Sequence, residues 1–308
     1  MAFACLFPGQ GSQSIGMMDS LTAFPIVQET FQEASDVLGI DLWAMLARDD
    51  KAIHDTINTQ PLMLTAGIAT WRAWKKIGGS EPALVAGHSL GEYSALVAAE
   101  VMAFSDALVL VRLRAQYMQE AVPQSTGAMA AILGLAEQIV VKICHEASSQ
   151  GCVEVANFNT PEQIVIAGET RAVEYAMQIA KEKGAKRALR LPVSVPSHCT
   201  LMQVAAEKLT DTLNNLPLKP PRIAVLHNVD AQQHVSVQAI RHTLLTQLYQ
   251  PVQWTKTIQT IVKQGVQHFV ECGPGKVLTG LIRRIDPQLN GIALIDEATL
   301  LSAQATLK

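Results

Sequence analysis

The residue with the clearest chemical potential is Ser89, which lies between two glycines in the sequence GHSLG at residues 87–91. A short apolar run before it predicts a buried strand, and the Ala- and Leu-rich segment after it predicts a helix. A G-x-S-x-G sequence at a strand-to-helix turn is typical of a nucleophile elbow, which exposes the serine at a helix N-terminus. The plainer alternative is a turn serine that only caps the helix.

A serine nucleophile needs a general base, and the chain has eight histidines. His88 adjoins the serine, but neighbouring side chains diverge in a turn. His198 follows a proline-containing loop, and His227 lies in a predicted strand where a satisfied core histidine is equally expected. The others lie on predicted helices or polar loops and are typical of surface residues: His54, His145, His234, His242 and His268. Spacing alone does not choose among these candidates.

Arg114 is a second candidate functional residue. It belongs to a helix predicted over 105–122, beginning at a Ser105 cap, and at 100° per residue it falls inside the apolar arc. A buried cation without a partner is very costly. Either an internal Asp or Glu pairs with this guanidinium, or the partner is a carboxylate of the substrate, held by two parallel hydrogen bonds.

Length and composition limit what surrounds these residues. The chain has 308 residues, 49% of them hydrophobic and 17% charged, which predicts a globular protein with one large core or two unequal cores. The net charge of −3 gives no indication of nucleic-acid binding. No apolar run reaches the ~18 residues of a membrane span, and the N-terminus predicts a strand and no signal peptide.

The cysteines indicate a compartment. There are five, without C-x-x-C spacing, so neither a disulfide framework nor a zinc site is predicted. Reduced cysteines fit a cytoplasmic location.

Strands alternate with helices along most of the chain, which predicts an α/β fold with a mostly parallel sheet of the α/β-hydrolase type. A helix is expected to begin at Pro61, and strands are expected over 222–229 and 268–271. Residues 125–193 follow the order βαββαβ, which predicts a small ferredoxin-like domain inserted into a large domain made of residues 1–124 and 194–308. Gln10, Ser89 and the segment after Val229 follow predicted strands and are expected at one rim of the sheet.

Several motifs together resemble one family. They are FPGQGSQ at residues 7–13, GHSLGE at 87–92, GAM at 127–129, VPSH at 195–198, PVQW at 251–254 and ECGPG at 271–275. In this order they resemble the malonyl-CoA:acyl-carrier-protein transacylases of bacterial fatty-acid synthesis, from residue 3 to about 284.

The resemblance implies catalytic roles at matching positions. Ser89 is expected to be the nucleophile and His198 its base, with the main-chain carbonyl of Gln253 orienting the imidazole. The amides of Gln10 and Leu90 are expected to form an oxyanion hole. The remaining positions implied for substrate binding are Arg114 for the malonyl carboxylate, and Gln60, Met118, Asn157, His88 and Gln253.

The resemblance also implies malonyl-CoA and an acyl carrier protein as partners, and no metal or redox cofactor. No contact with nucleic acid or membrane is expected, and a monomer is predicted. The segment 181–190 is locally basic. It is either a solvated helix end or a docking site for coenzyme A phosphates or an acidic carrier, with Lys186, Arg187 and Arg190 as its contacts.

Three alternatives stay open from the sequence. A serine esterase or thioesterase shares the elbow but uses water, and is expected to supply an acid for the histidine and a more apolar acyl pocket. A malonyl transferase acting for a polyketide synthase or a malonate decarboxylase has the same motifs. A docking subunit without activity would have lost reactive positions, whereas none of the matched positions is lost here. Related domains for methylmalonyl often carry Gln after the nucleophile, so the resemblance implies that Leu90 at this position favours malonyl.

Overall fold

The computed structural model describes residues 1–48, 50–123, 125–193 and 195–308, with the side chains of Arg48 and Asp50 left aside. Its strands are β1 (Phe3–Phe7), β2 (Leu84–Gly87), β3 (Gly127–Leu133), β4 (Val153–Thr160), β5 (Gln163–Glu169), β6 (Arg187–Arg190), β7 (Ala224–Leu226), β8 (His268–Glu271) and β9 (Asn290–Ala293).

Helices separate many of these strands and follow the last of them. They are α1 (Pro25–Leu38), α2 (Leu42–Arg48), α3 (Asp50–His54), α4 (Thr56–Lys76), α5 (Gly91–Ala98), α6 (Phe104–Glu120), α7 (Glu137–Ala147), α8 (Thr170–Glu182), α9 (Gln203–Asn215), α10 (Val237–Thr246), α11 (Trp254–Lys263), α12 (Val277–Ile285) and α13 (Glu297–Thr306). No helix in the described part of the chain is long and apolar enough to span a membrane.

A parallel sheet of five strands, in the order β7-β2-β1-β8-β9, forms the centre of the larger part of the molecule. All five residues of β1 and all four of β2 are buried, as expected for strands covered by helices on both faces. One face packs against α1, α4 and α6, and the other against α11 and α12. The predicted α/β fold with a parallel sheet is confirmed.

A smaller antiparallel sheet has the order β4-β5-β3-β6 and carries α7 and α8. Its apolar side chains form a separate cluster that includes Ile132, Val140, Ile166 and Val173. The βαββαβ order predicted from the sequence is therefore present. The predicted boundaries at residues 124 and 194 fall on Gln124 and Ser194, which lie outside the described residues, so the division at those positions stays a prediction.

Three predicted element boundaries are wrong. Helix α4 begins at Thr56 and contains Pro61, because the Asp55 carboxylate accepts from the Ile57 amide and caps the helix five residues earlier. Helix α6 begins at Phe104 after an Ala103 N-cap without a side-chain bond. The Phe104 side chain is buried in the first turn, and Ser105 is not the cap of this helix.

The third wrong boundary is in β7, which ends at Leu226 and leaves the sheet three residues before the predicted end. The His227 amide donates to the carbonyl of Gln232, so the chain turns here instead of extending the strand. The turn places His227 and Asn228 against the buried N-terminus of α5.

Candidate active site

The elbow around Ser89 is built by close backbone packing. Strand β2 ends at Gly87 and α5 begins at Gly91, and between them Ser89 has a φ of +51°, in the left-handed region that non-glycine residues rarely adopt. A Cβ atom on Gly87 would lie 1.9 Å from the carbonyl of Gly91, and one on Gly91 would lie 2.0 Å from the Phe7 carbonyl oxygen. The glycines are therefore required for the turn that presents the Ser89 side chain.

Ser89 and His198 form a hydrogen-bonded pair, with 2.7 Å between the serine Oγ and the histidine Nε2. The other ring nitrogen, Nδ1, lies 2.7 Å from the main-chain carbonyl oxygen of Gln247. Because a carbonyl oxygen only accepts, Nδ1 carries the proton and the Nε2 lone pair faces the Ser89 hydroxyl. This arrangement is the one a general base needs to deprotonate a serine.

The prediction that the Gln253 carbonyl orients the imidazole is wrong. Gln253 is the N-cap of α11, and its carbonyl accepts from the amide and hydroxyl of Thr257. A carbonyl at a helix N-cap is used by the first helical hydrogen bond, whereas one at a helix C-terminus is left free. Gln247 caps the C-terminus of α10 and therefore supplies the free carbonyl. Gln253 does not line the cavity described below.

The environment of His198 keeps its ring neutral. Burial, together with the positive charge of Arg114, lowers its pKa to about 3, and the bond to the Gln247 carbonyl opposes this only in part. A neutral imidazole can accept the serine proton throughout the range in which an ordinary histidine would titrate.

Arg114 lies 1% exposed on α6, on the apolar side as predicted. Its two terminal nitrogens donate to amide oxygens, at 2.8 Å to Gln60 Oε1 and 3.0 Å to Gln247 Oε1. The guanidinium carbon lies 5.5 Å from the centre of the Tyr93 ring. No carboxylate of the described chain lies within ion-pair distance of it, and burial lowers its pKa. The guanidinium is thus held by neutral groups, and no carboxylate of the described chain is in direct contact with it.

The predicted residues meet at one cavity of about 120 Å³. Drug-sized pockets have about 300–1,000 Å³, so this space fits a short acyl group. Its lining includes Gln10, Gln60, His88, Ser89, Leu90, Arg114, Met118, Asn157 and His198. The Gln60 amide nitrogen lies 3.7 Å from the Met118 sulfur. Asn157 comes from β4 of the antiparallel sheet and places that sheet at the cavity.

Two main-chain amides at the cavity have hydrogens available. Among the described residues, neither the Gln10 amide nor the Leu90 amide has an acceptor. Both residues line the cavity beside Ser89. This is the arrangement that an oxyanion hole requires, with donors fixed before the charge develops.

His88 does not hydrogen-bond the serine hydroxyl. Its Nε2 lies 2.7 Å from Asn159 Oδ1, and its ring lies 5.3 Å from that of Trp254. Burial lowers its pKa. The ring therefore connects the elbow to β4 and does not bond the nucleophile.

The chain is similar to known proteins over nearly its whole length. A family model described as "Acyl transferase domain" matches residues 4–293. The malonyl CoA-acyl carrier protein transacylase of Salmonella typhimurium is 52% identical over 303 residues, which is 98% of each chain. The chain belongs to the malonyl CoA-acyl carrier protein transacylases. The protein of the same name from Bacillus subtilis is 43% identical over 308 residues, 99% of this chain and 97% of its own.

Solved structures of the transacylase family superimpose over the whole chain. The Coxiella burnetii enzyme, 47% identical, gives a TM-score of 0.99 and covers 100% of this chain and 98% of its own. A malonyl-transacylase in complex with a type II PKS acyl-carrier protein is 51% identical, with a TM-score of 0.98 over 99% of this chain and 100% of its own. The family resemblance drawn from the motifs is confirmed.

The three basic residues predicted to dock coenzyme A or the carrier onto this transacylase lie apart from the cavity lining. Lys186 pairs with Glu162 at 3.2 Å and Arg190 with Glu174 at 2.7 Å, both on the surface. Arg187 is exposed on β6. Two of the three predicted docking residues thus have acidic neighbours, and their role in docking stays a prediction.

Sequence reasoning missed three polar residues of this transacylase site: Gln247, Asn228 and Glu92. Asn228 accepts from the Ser89 amide at 2.6 Å and donates to the Gly87 carbonyl at 2.6 Å, which holds the elbow on both sides of the nucleophile. Asn228 fell inside the strand predicted over 222–229, which hid its position; because β7 ends at Leu226, it lies after the strand, at the rim of the sheet. Gln247 lies at a helix end and gave no signal.

Proposed function

We propose that this chain transfers a malonyl group from malonyl-CoA to the phosphopantetheine thiol of acyl carrier protein, through a malonyl ester on Ser89, and so supplies fatty-acid chain elongation. The observation that carries this proposal is one cavity in which a Ser89–His198 pair lies beside Arg114, a buried cation with no carboxylate partner in the described chain.

The first half-reaction forms the acyl-enzyme. His198 Nε2 takes the Ser89 proton as Oγ attacks the thioester carbonyl, and the imidazolium is stabilised by the Gln247 carbonyl at Nδ1. The Gln10 and Leu90 amides receive the oxyanion, where one such donor is worth about 10²–10³ in rate. The tetrahedral intermediate collapses, the C–S bond breaks, and the coenzyme A thiolate takes the proton from His198.

The second half-reaction reverses these roles with a new thiol. His198 deprotonates the phosphopantetheine thiol, which attacks the malonyl-serine carbonyl. The C–O bond to Ser89 breaks, and the serine recovers its proton from His198. Each half-reaction moves the acyl group between a thiol sulfur and the Ser89 oxygen, without a change of oxidation state. We therefore propose that no metal or redox cofactor takes part.

Arg114 supplies the choice of acyl group in this proposal. The malonyl carboxylate offers two oxygens to a guanidinium, whereas acetyl offers none and leaves the buried cation without a charged partner. Gln60, Met118 and Asn157 complete the wall of the acyl cavity.

Four further features belong to the proposal. The enzyme acts as a monomer in the cytoplasm, where the cysteines stay reduced, and all five cysteines are free in the structure. Residues 1–124 with 194–308, and residues 125–193, form a large and an inserted small domain. Lys186, Arg187 and Arg190 contact coenzyme A phosphates or the acidic carrier.

Intact-protein mass spectrometry after mixing with malonyl-CoA tests the proposal. The wild type is expected to gain one malonyl group, and Ser89→Ala none. Adding a phosphopantetheinylated carrier should then remove the malonyl group from the enzyme and place it on the carrier. Rapid release of free malonate without carrier would instead indicate a thioesterase.

A second candidate is malonyl transfer to the carrier of a polyketide synthase. It is favoured by one observation, the 51% identical malonyl-transacylase whose structure contains a type II PKS acyl-carrier protein. Competition between a fatty-acid carrier and a polyketide carrier for the malonyl-enzyme separates the two, because the physiological carrier is expected to react with the higher kcat/KM.

A further inference from the structure

Glu92 is a fully buried carboxylate three residues after the nucleophile, and the reaction as described above gives it no role. Its Oε1 lies 2.7 Å from His227 Nδ1. Its Oε2 accepts from the Asn228 amide at 3.1 Å and from Gln247 Nε2 at 2.8 Å. A buried carboxylate is retained only where several donors satisfy it, and Glu92 has three of them.

Gln247 joins Glu92 to the reacting groups. Its main-chain oxygen accepts from His198, and its side-chain nitrogen donates to the Ser89 carbonyl at 3.0 Å as well as to Glu92. Its side-chain oxygen accepts from Arg114 at 3.0 Å. One residue thus contacts the base, the nucleophile and the cation, and it is itself fully buried.

The Glu92 carboxylate, together with the Ser89 carbonyl, decides which way the Gln247 amide faces. A carboxylate and a carbonyl only accept hydrogen bonds, so the NH₂ group must face Glu92 and the Ser89 carbonyl. The amide oxygen is then directed at Arg114. A flipped amide would turn its NH₂ group towards the guanidinium donors and its oxygen towards two acceptors, which would lose all three hydrogen bonds.

We propose that Glu92 is a positioning residue for acyl selectivity: through the Gln247 amide it holds one arm of the Arg114 guanidinium where the substrate carboxylate binds. Gln60 holds the other arm. This inference rests on the proposed malonyl transfer, and it adds a residue that contacts neither the substrate nor the serine hydroxyl.

Gln247→Met tests the connection while leaving the main-chain carbonyl that accepts from His198. The measured quantity is the ratio of kcat/KM for Ser89 acylation by malonyl-CoA to that by acetyl-CoA. We expect this ratio to fall about tenfold, as for loss of one hydrogen bond to a charged group. In an Arg114→Ala background Gln247→Met should change the ratio no further, because the residue acts through Arg114.

Glu92 is tested by two substitutions. Glu92→Met removes both carboxylate oxygens and should lower the malonyl-to-acetyl ratio as much as Gln247→Met does. The variant that carries both substitutions should show no larger fall than either one alone. Glu92→Gln keeps one acceptor oxygen for Gln247, and the His227 tautomer can change to accept from the new amide. We expect the malonyl-to-acetyl ratio of Glu92→Gln to stay within about threefold of the wild type.

Thr243→Val is the matched control. Thr243 is buried on α10 and its hydroxyl lies 3.1 Å from His227 Nδ1, but its side chain has no hydrogen bond to Gln247 or Arg114. Its main-chain carbonyl accepts from the Gln247 amide at 2.9 Å, and valine keeps that bond. This variant perturbs the same buried cluster, and its ratio should stay within about twofold of the wild type.

This inference is overturned if Gln247→Met keeps the wild-type ratio. It is also overturned if Gln247→Met lowers the ratio as much in the Arg114→Ala background as in the wild type. Both results leave malonyl transfer intact. An equal fall of the ratio in Thr243→Val overturns it as well, because any disturbance of the cluster would then suffice. If Glu92→Met does not fold, the inference is still tested by Gln247→Met in the wild-type and Arg114→Ala backgrounds. A wild type that forms no malonyl adduct would remove the proposed function and this inference together.

Discussion

At the scale of single residues, the site combines a base kept neutral with a cation kept charged. His198 and Arg114 are both buried, and His198 lies in the field of the Arg114 charge, which is the second cause of its lowered pKa, after burial. The same cation that would select the substrate therefore also keeps the base ready to accept a proton.

The lowered pKa of His198 gives a prediction for activity. Because its pKa is about 3, the ring stays neutral in the free enzyme down to low pH. We expect kcat/KM for acylation by malonyl-CoA to change less than about twofold between pH 8 and pH 5, where a histidine of pKa 6.5 would lose about 30-fold. Stopped-flow acylation across this range measures it. A fall centred near pH 6.5 would contradict the assigned environment.

Arg114→Ala is predicted to abolish the preference for malonyl. The kcat/KM for malonyl-CoA should fall about 100-fold, since a charge-assisted pair is lost from a buried site, and that for acetyl-CoA should not fall in parallel. Arg112→Ala is the control on the same helix. Arg112 donates to the Leu38 carbonyl and does not line the cavity, so both constants should stay near wild-type values. A retained malonyl preference in Arg114→Ala would refute the carboxylate assignment.

At the scale of elements, the junction of β2 and α5 has no room for a side chain on its glycines. Asn228 bonds the backbone on both sides of Ser89, and α5 begins immediately after the turn. The strained conformation of Ser89 is maintained by these contacts, in keeping with strain held at functional sites.

Gly91→Ala and Gly280→Ala form a matched pair at this scale. Gly91 has the Phe7 carbonyl oxygen 2.0 Å from the position of a new Cβ, whereas Gly280 in α12 has no atom within 4 Å. We expect Gly91→Ala to destabilise the protein by at least about 3 kcal/mol or to prevent folding. Gly280→Ala should stabilise it by about 0.5–1 kcal/mol. Urea unfolding distinguishes these results, and equal stabilities for both variants would contradict the packing described.

At the scale of the whole molecule, the site exists only where the two sheets meet. Asn157 bridges to Val252, and the Phe158 amide donates to the Val252 carbonyl, so β4 is fixed to the segment before α11. The His88–Asn159 bond is a further connection to the elbow. The antiparallel sheet thereby closes one wall of a cavity whose nucleophile belongs to the parallel sheet.

Burial of neutral histidines at this junction makes global stability depend on pH. The unfolded chain takes up a proton at His198 below pH about 6.5, but the folded chain does so only near pH 3. Stability is therefore complete above pH 6.5 and is lost as pH falls towards 3. His198 alone should cost about 2 kcal/mol between pH 6.5 and pH 5. Burial of His88 acts in the same direction.

Unfolding of His198→Asn tests this linkage. The variant should lose less stability than the wild type when urea unfolding is compared at pH 7.5 and pH 5, because one of the groups that gains a proton on unfolding is gone. Equal losses in the two proteins would show that His198 does not titrate differently in the folded state.

Local patterns in the sequence determined the α/β class, the parallel sheet, the βαββαβ segment and the position of the elbow. Apolar runs, helical periodicity and glycine spacing report on neighbours a few residues away, and those features depend on such neighbours. The bounds of β8 followed for the same reason, and the apolar side of α6 placed Arg114 correctly.

Only the tertiary structure decided which groups surround Ser89. Ser89 and His198 are 109 residues apart, and Ser89 and Gln247 are 158 apart, so no local pattern records their contact. The carbonyl that accepts from His198 belongs to Gln247 and not to Gln253, because a helix end leaves its last carbonyls free and a helix start uses them. The buried Glu92 had no visible partner in the sequence, since its three donors come from segments more than 130 residues away.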